Sequence, residues 1–92
     1  MNSKRKIDLS RLSVLMFDID GTLCTQESKN YMDAKPYEDR ILKINELKTS
    51  GKFIKFFTSR GMLSGIDWSI KTTQQLRAWG LNYDEIIFGK PL

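Results

Sequence analysis

Asp18-Ile19-Asp20-Gly21-Thr22 follows directly on the apolar run at 12–17. Along an extended strand residues i and i+2 project to the same side, so Asp18 and Asp20 are expected to face one small volume if the strand persists past Phe17. Two carboxylates held close repel, and a bound cation or an unequal sharing of protons relieves the repulsion. Either solution serves phosphoryl transfer. With Mg²⁺ bound through a carboxylate and waters, phosphate oxygens are clamped while one carboxylate attacks phosphorus to give an aspartyl phosphate. The other protonates the leaving oxygen and then activates water. Gly21 permits a tight turn and close backbone approach to a ligand, and Thr22 offers a hydroxyl and an N–H to a phosphate or to the turn itself. A plain surface turn also uses Asp and Gly, but it needs one Asp, and this pair stands at the carboxyl end of a strand.

The elements that must position these groups alternate along the chain. The run at 12–17 suits a strand buried on both faces of a parallel sheet. Residues 23–36 are polar and irregular and read as a loop or small flap. Pro36 opens a helix with Tyr37, Ile41, Ile44 and Leu47 on its inner face, and Gly51 closes it. Residues 52–58, containing Phe-Ile-Lys-Phe-Phe, read as a second strand. A second helix is expected over 67–79, with Ile70, Leu76 and Trp79 toward the core and Gly80 at its end, and 85–88 is a third strand. The order β-α-β-α-β implies an α/β fold with right-handed crossovers and a parallel sheet. In such sheets ligands sit beyond the carboxyl ends of the strands. Those ends carry Asp18 and Asp20, then Thr58, Ser59 and Arg60, then Gly89 and Lys90. The Thr58 and Ser59 hydroxyl and N–H groups suit phosphate oxygens, and the Lys90 ammonium suits the charge between nucleophile and transferring group. Singly, Thr58 also reads as a helix cap and Lys90 as a solvated chain end; jointly they mark one rim.

Composition bounds the function. Ninety-two residues make one modest domain, and 40% hydrophobic with 28% charged residues is a globular balance. Neither a low-complexity tract nor an internal repeat is present. Apolar runs reach about four or five residues, against the ~20 that span a bilayer, so no membrane association is expected. Asp8, Ser10, Arg11 and Ser13 interrupt any signal-peptide pattern, which points to the cytoplasm. Cys24 is the single cysteine and the chain has no histidine, so neither an internal disulfide nor a zinc site is expected, and Cys24 reads as a small loop hydrophobe. The net charge of +4 comes partly from Lys4, Arg5 and Lys6 in an N-terminal extension at 1–11, and the remaining cations are interspersed with acids. Aromatics do not interleave with arginines as they do where bases stack. No nucleic-acid partner is expected, only mild attraction for anionic substrates.

Asp18-Ile-Asp20-Gly21-Thr22, Thr58 after one apolar strand and Lys90 after another resemble the first three motifs of the haloacid dehalogenase-like (HAD) superfamily of phosphohydrolases. Asp-Gly-Thr-Leu-Cys at 20–24, Ala-Lys-Pro at 34–36, Thr-Ser-Arg at 58–60, Tyr-Asp-Glu at 83–85 and Gly-Lys-Pro at 89–91 are similar to small phosphatases of capsular polysaccharide biosynthesis. The resemblance spans 12–92. It implies a Rossmann-like three-layer sandwich, a capless HAD-like core, with Asp18 as nucleophile, Asp20 as general acid and base, and Thr58 and Lys90 as phosphate holders. It further implies Mg²⁺ on the Asp18 carboxylate and the Asp20 backbone carbonyl, and a phosphorylated sugar or capsule precursor as substrate. Arg60 is expected as a substrate-side contact.

One motif of the superfamily is missing: an acidic pair after a further strand, which completes the metal site. The sequence stops two residues past Lys90, and Asp84 and Glu85 precede the third strand, at the wrong end of the sheet. The expectation is a C-terminally short domain over 1–92, either a piece of a longer protein or a shortened form with weakened metal binding. Residues 23–36 are too few for an inserted cap, so an open site is expected, covered by a bulky substrate, a homo-oligomer or a partner domain. The missing motif also leaves open a non-catalytic phospho-ligand binding or regulatory module. A phosphorylation-receiver domain is disfavoured, because its phosphorylated Asp follows the middle strand, where this chain has Thr58.

Overall fold

The computed structural model describes residues 13–27 and 29–89, so the basic extension at 1–11 and Lys90 lie outside the described residues. Among the described residues five elements keep the expected order: β1 (Val14–Asp18), α1 (Glu38–Thr49), β2 (Phe53–Thr58), α2 (Ser69–Ala78) and β3 (Glu85–Phe88), with a 3-10 turn at Tyr31–Asp33. The strands form one parallel sheet in the order β1-β2-β3. Its register sets Asp18 beside Phe57 and Thr58 beside Phe88, which brings the three carboxyl ends to a common rim.

Residues paired across a sheet share a face, and faces alternate along each strand. One face therefore carries Leu15, Phe17, Ile54, Phe56 and Ile86, and the other Val14, Met16, Phe53, Lys55, Phe57, Glu85 and Ile87. The core lies on the first face. Ile54 and Phe56 are fully buried with Ile41 and Ile44 of α1 and Leu76 of α2, and Leu15, Phe17, Leu47 and Ile86 pack against them. Both helices occupy this side because two right-handed crossovers advancing in one direction across a sheet leave their helices on the same face. The second face leaves Val14 52%, Met16 43% and Phe53 42% exposed, and a Lys55–Glu85 ion pair of 3.5 Å crosses it. The described elements thus form two layers.

Both helices end in the same way. Past α1, the Gly51 N–H donates to the Lys48 carbonyl and the Lys52 N–H to that of Leu47; past α2, Gly80 donates to Arg77 and Leu81 to Leu76. This double bond pattern requires a left-handed residue, supplied by Gly51 at φ +106° and Gly80 at φ +82°.

Three details differ from the sequence reading: β1 is buried on one face only, with Val14 and Met16 exposed on the side without helices, and both helices start later than expected. Pro36 does not open α1; it bridges Cys24 in extended geometry, and the Tyr37 N–H donates 2.8 Å to the Leu23 carbonyl. That bond ties residue 37 to the preceding loop, so Tyr37 caps the helix instead of lining its inner face, and α1 starts at Glu38. Ile70 is 70% exposed. The Asp67 carboxylate takes the Ser69 N–H, α2 starts at Ser69, and its buried stripe runs through Thr72 and Leu76, which turns Ile70, two residues before Thr72, to the far side.

Candidate functional site

At the end of β1 the extended backbone stops at Asp18, and Ile19 is a fully buried bend. Beyond it the chain closes a turn: the Leu23 N–H donates 2.9 Å to the Ile19 carbonyl and the Gly21 N–H 2.9 Å to that of Cys24, with Gly21 at φ +87°. The alternation that would carry Asp20 to the side of Asp18 ends one residue too early, and this turn sets the direction of Asp20 instead. From α1, Arg40 Nη1 donates to the carbonyls of Gly21 at 3.3 Å and Thr22 at 3.0 Å, so a helix cation holds the turn from outside.

The Asp20 carboxylate meets the Nε–Nη2 side of the Arg60 guanidinium. Arg60 Nε donates 2.9 Å to Oδ2 and Nη2 donates 2.8 Å to Oδ1. The Arg60 side chain has no exposed surface, and Asp20 retains 14%. The remaining nitrogen, Nη1, donates to Thr72 Oγ1 at 3.2 Å and Gln75 Oε1 at 2.8 Å, both on α2. Gln75 Nε2 in turn donates 3.0 Å to the Tyr31 carbonyl. The Tyr31 ring lies 4.9 Å from the guanidinium carbon, and the Trp68 ring meets it edge-on at 4.8 Å. Arg60 is therefore buried behind Asp20, not turned outward as a substrate-side contact. The sequence reading missed Thr72, Gln75, Tyr31 and Arg40. The available signal was the pair Thr72 and Gln75, two polar residues one helical turn apart on the face of α2 that also carries Leu76.

Thr58 closes β2 fully buried. Its Oγ1 accepts the Arg60 N–H at 3.1 Å, which leaves the hydroxyl proton to donate, and its carbonyl accepts the Gly89 N–H at 2.8 Å. Ser59 is exposed at the same rim, where its carbonyl takes the Met62 N–H at 3.0 Å. Asp20, Thr58 and Arg60 are thus linked by hydrogen bonds, while Asp18 ends the adjacent strand on the face opposite Thr58 and Ser59 follows at the rim. Cys24 is fully buried, its thiol 3.7 Å from both Asp20 Oδ1 and the Ile19 carbonyl. Burial foremost, then the negative charge of Asp20, pushes this thiol up to about 11.

The donor set fits Mg²⁺ sparingly. Arg60 engages both Asp20 carboxylate oxygens, and the ligands expected from the resemblance, the Asp18 carboxylate and the Asp20 backbone carbonyl, would supply two protein oxygens to a cation. Mg²⁺ commonly takes one or two such oxygens and completes its shell with waters and substrate phosphate. No cluster of three or more acidic, cysteine or histidine ligands occurs among the described residues. Asp84 serves the opposite end of the sheet, where it accepts from Lys48 Nζ at 2.6 Å and the Ile54 N–H at 2.7 Å. Among the described residues no helix is long and apolar enough to cross a membrane.

No protein-family model matches this sequence, and no curated protein does. Solved structures are similar to it. A crystal structure of a Vibrio cholerae protein superposes with a TM-score of 0.73 at 30% identity, over 88% of this chain and 72% of its own. A structure of a Pnkp1/Rnl/Hen1 complex superposes with a TM-score of 0.66 at 15% identity, over 85% of this chain and 28% of its own, a likeness of fold alone.

Proposed function

We propose that this chain, which belongs to the same family as the Vibrio cholerae protein, is a HAD-like, Mg²⁺-dependent phosphomonoester hydrolase of the cytoplasm. Its substrate is a phosphorylated sugar or related capsular polysaccharide precursor, and it acts through an aspartyl phosphate. The observation that carries this reading is the rim itself: Asp18 ends β1 in register with Phe57, one residue before Thr58, and Asp20 follows two residues on with its carboxylate held by Arg60. An Asp18 oxygen attacks phosphorus, the bond from phosphorus to the substrate oxygen breaks, and Asp20 gives that oxygen its proton. Asp20, now a carboxylate, takes a proton from water as the water oxygen attacks the acyl phosphate, and Asp18 and inorganic phosphate are regenerated. Thr58, Ser59 and Lys90 hold phosphate oxygens. When bound to Asp18 and the Asp20 carbonyl, Mg²⁺ supplies charge neutralisation for the phosphoryl group. The three-layer sandwich of the superfamily requires a second helical layer over the Val14, Met16 and Phe53 face.

Phosphate release from a panel of sugar phosphates with Mg²⁺ tests the proposal, and no release from any of them counts against it. A second reading, a phospho-ligand binding module without turnover, draws on the engagement of the Asp20 carboxylate by Arg60, which leaves one carboxylate for a metal. Calorimetry separates the two: Mg²⁺-linked phosphate binding without hydrolysis supports the module.

A further inference from the structure

We propose that Arg60 is a positioning residue that acts through Asp20 and is itself braced by Gln75 and Thr72 of α2. The assignment rests on the phosphohydrolase reading above and adds to it the group that aims the acid and base.

The argument begins with donors. A guanidinium carries five N–H groups in a fixed plane, and three of its nitrogens are accounted for: Nε and Nη2 on the two Asp20 oxygens, Nη1 on Thr72 and Gln75. With the plane fixed by α2 and covered by the Tyr31 ring, the fork permits one orientation of the Asp20 carboxylate. Each carboxylate oxygen still has a further lone-pair direction, so the fork leaves Asp20 able to meet a leaving oxygen or a water. Such an arrangement is demanded where a proton must move along a set direction, because acid–base catalysis depends on heavy-atom approach within hydrogen-bond reach. Each of the three guanidinium nitrogens of Arg60 donates within the protein, which sets it apart from an arginine whose fork is turned to a substrate. The guanidinium charge on both Asp20 oxygens disfavours a second cation there, so the two aspartates divide the chemistry, with the Asp18 side chain toward phosphorus and metal and the Asp20 side chain toward protons.

The test is steady-state hydrolysis of p-nitrophenyl phosphate with Mg²⁺, for the unaltered chain and for Arg60→Lys, Gln75→Leu, Asp20→Asn and Arg60→Lys/Asp20→Asn, each first shown to be folded by circular dichroism. The expected result is a fall in kcat of about 10-fold or more for Arg60→Lys and a smaller fall for Gln75→Leu, with KM within about 2-fold of the unaltered value. In the Asp20→Asn background, Arg60→Lys is expected to cost nothing further, because residues acting as one unit are non-additive. A structural role alone gives losses that multiply in the double variant, and a substrate contact raises KM at constant kcat; either outcome overturns the assignment. If the Arg60 variant fails to fold, Gln75→Leu decides, and unchanged kcat there overturns it. An unaltered chain that releases neither p-nitrophenol nor phosphate from the sugar-phosphate panel removes the phosphohydrolase reading and this assignment with it, an outcome distinct from an active chain whose variants stay active.

Discussion

Asp20 is reached by a fork of two bonds at 2.9 and 2.8 Å from a fully buried arginine, whereas Asp18 ends a strand whose neighbour supplies Thr58. On the mechanism proposed above Asp18 is the nucleophile, and so the group to remove. Asp18→Asn keeps volume and loses the attacking charge, so turnover is expected to fall about 10³-fold or more, with the melting temperature within about 3 °C of the unaltered chain. Phosphate release and a thermal melt read the two quantities; retained turnover means that another group is the nucleophile. Cys24 gives a second expectation. Its thiol ionises near 11 instead of 9.0, so at pH 8 the native thiolate fraction is about 10²-fold below that of the unfolded chain, and labelling by a disulfide reagent slows in proportion. Because the folded value is raised, the thiol's contribution to stability is whole below about pH 9 and is lost as pH rises toward 11. Rapid native labelling at pH 8 contradicts this. Placement at the rim was legible where spacing alone carries it: Asp18 and Thr58 end adjacent strands, and Ser59 follows the second. The role of Arg60 was not, because three residues of sequence cannot show whether a side chain at a strand end turns outward or back under the rim. Its partners Gln75 and Tyr31 lie 15 and 29 positions away.

At the scale of elements, strand cores and helix stops were written locally and helix starts were not. The third strand, at 85–88, agrees residue for residue, because Ile86 and Ile87 stand between an acid and a glycine. Gly51 and Gly80 mark the helix ends because only a left-handed residue closes the double bond pattern found there. The start of α1 depends on a bond from Tyr37 to Leu23, across the turn, which no local pattern encodes. Glycines separate two kinds of constraint. At Gly51 an added Cβ meets nothing within 4 Å, whereas at Gly61, φ +84°, it falls 2.2 Å from the Ile66 carbonyl oxygen. Gly51→Ala is therefore expected to cost about 1 kcal/mol, the left-handed penalty alone, and Gly61→Ala clearly more, since backbone must shift; urea midpoints compare them. Asp84 links three elements at the opposite end of the sheet. The Lys48 ammonium foremost, with the Ile54 amide, holds its carboxyl below the ordinary 3.8. A depressed folded value means that this contribution is present above the unfolded carboxyl value and disappears as pH falls through the folded one. The stability gap between the unaltered chain and Asp84→Asn is expected at pH 7 and should close below about pH 4; a gap independent of pH contradicts it.

Over the whole molecule, the strand composition shows that both sheet faces are apolar but not which face the helices take. The run at 12–17 reads as buried on both sides, yet Val14 and Met16 are exposed while Leu15 and Phe17 pack against the core. Handedness decides the matter, since two crossovers in one direction leave both helices on one side. The energetic asymmetry that follows is measurable. Phe56 is fully buried against α1 and α2 residues and stacks near Tyr83 at 5.2 Å, so Phe56→Ala should cost about 3–5 kcal/mol in lost transfer energy and residual cavity. Met16 and Phe53 lie one strand apart on the other face, 43% and 42% exposed. Met16→Gln and Phe53→Thr should each change stability by no more than about 0.5 kcal/mol. Urea denaturation of the 92-residue chain and these three variants measures all of them in one solvent. Comparable costs on both faces would mean that a second layer covers Met16 and Phe53 in solution, whether from residues outside those described or from another molecule. A large cost confined to Phe56 leaves the two-layer arrangement standing as the unit that holds Asp18 and Thr58 at one rim.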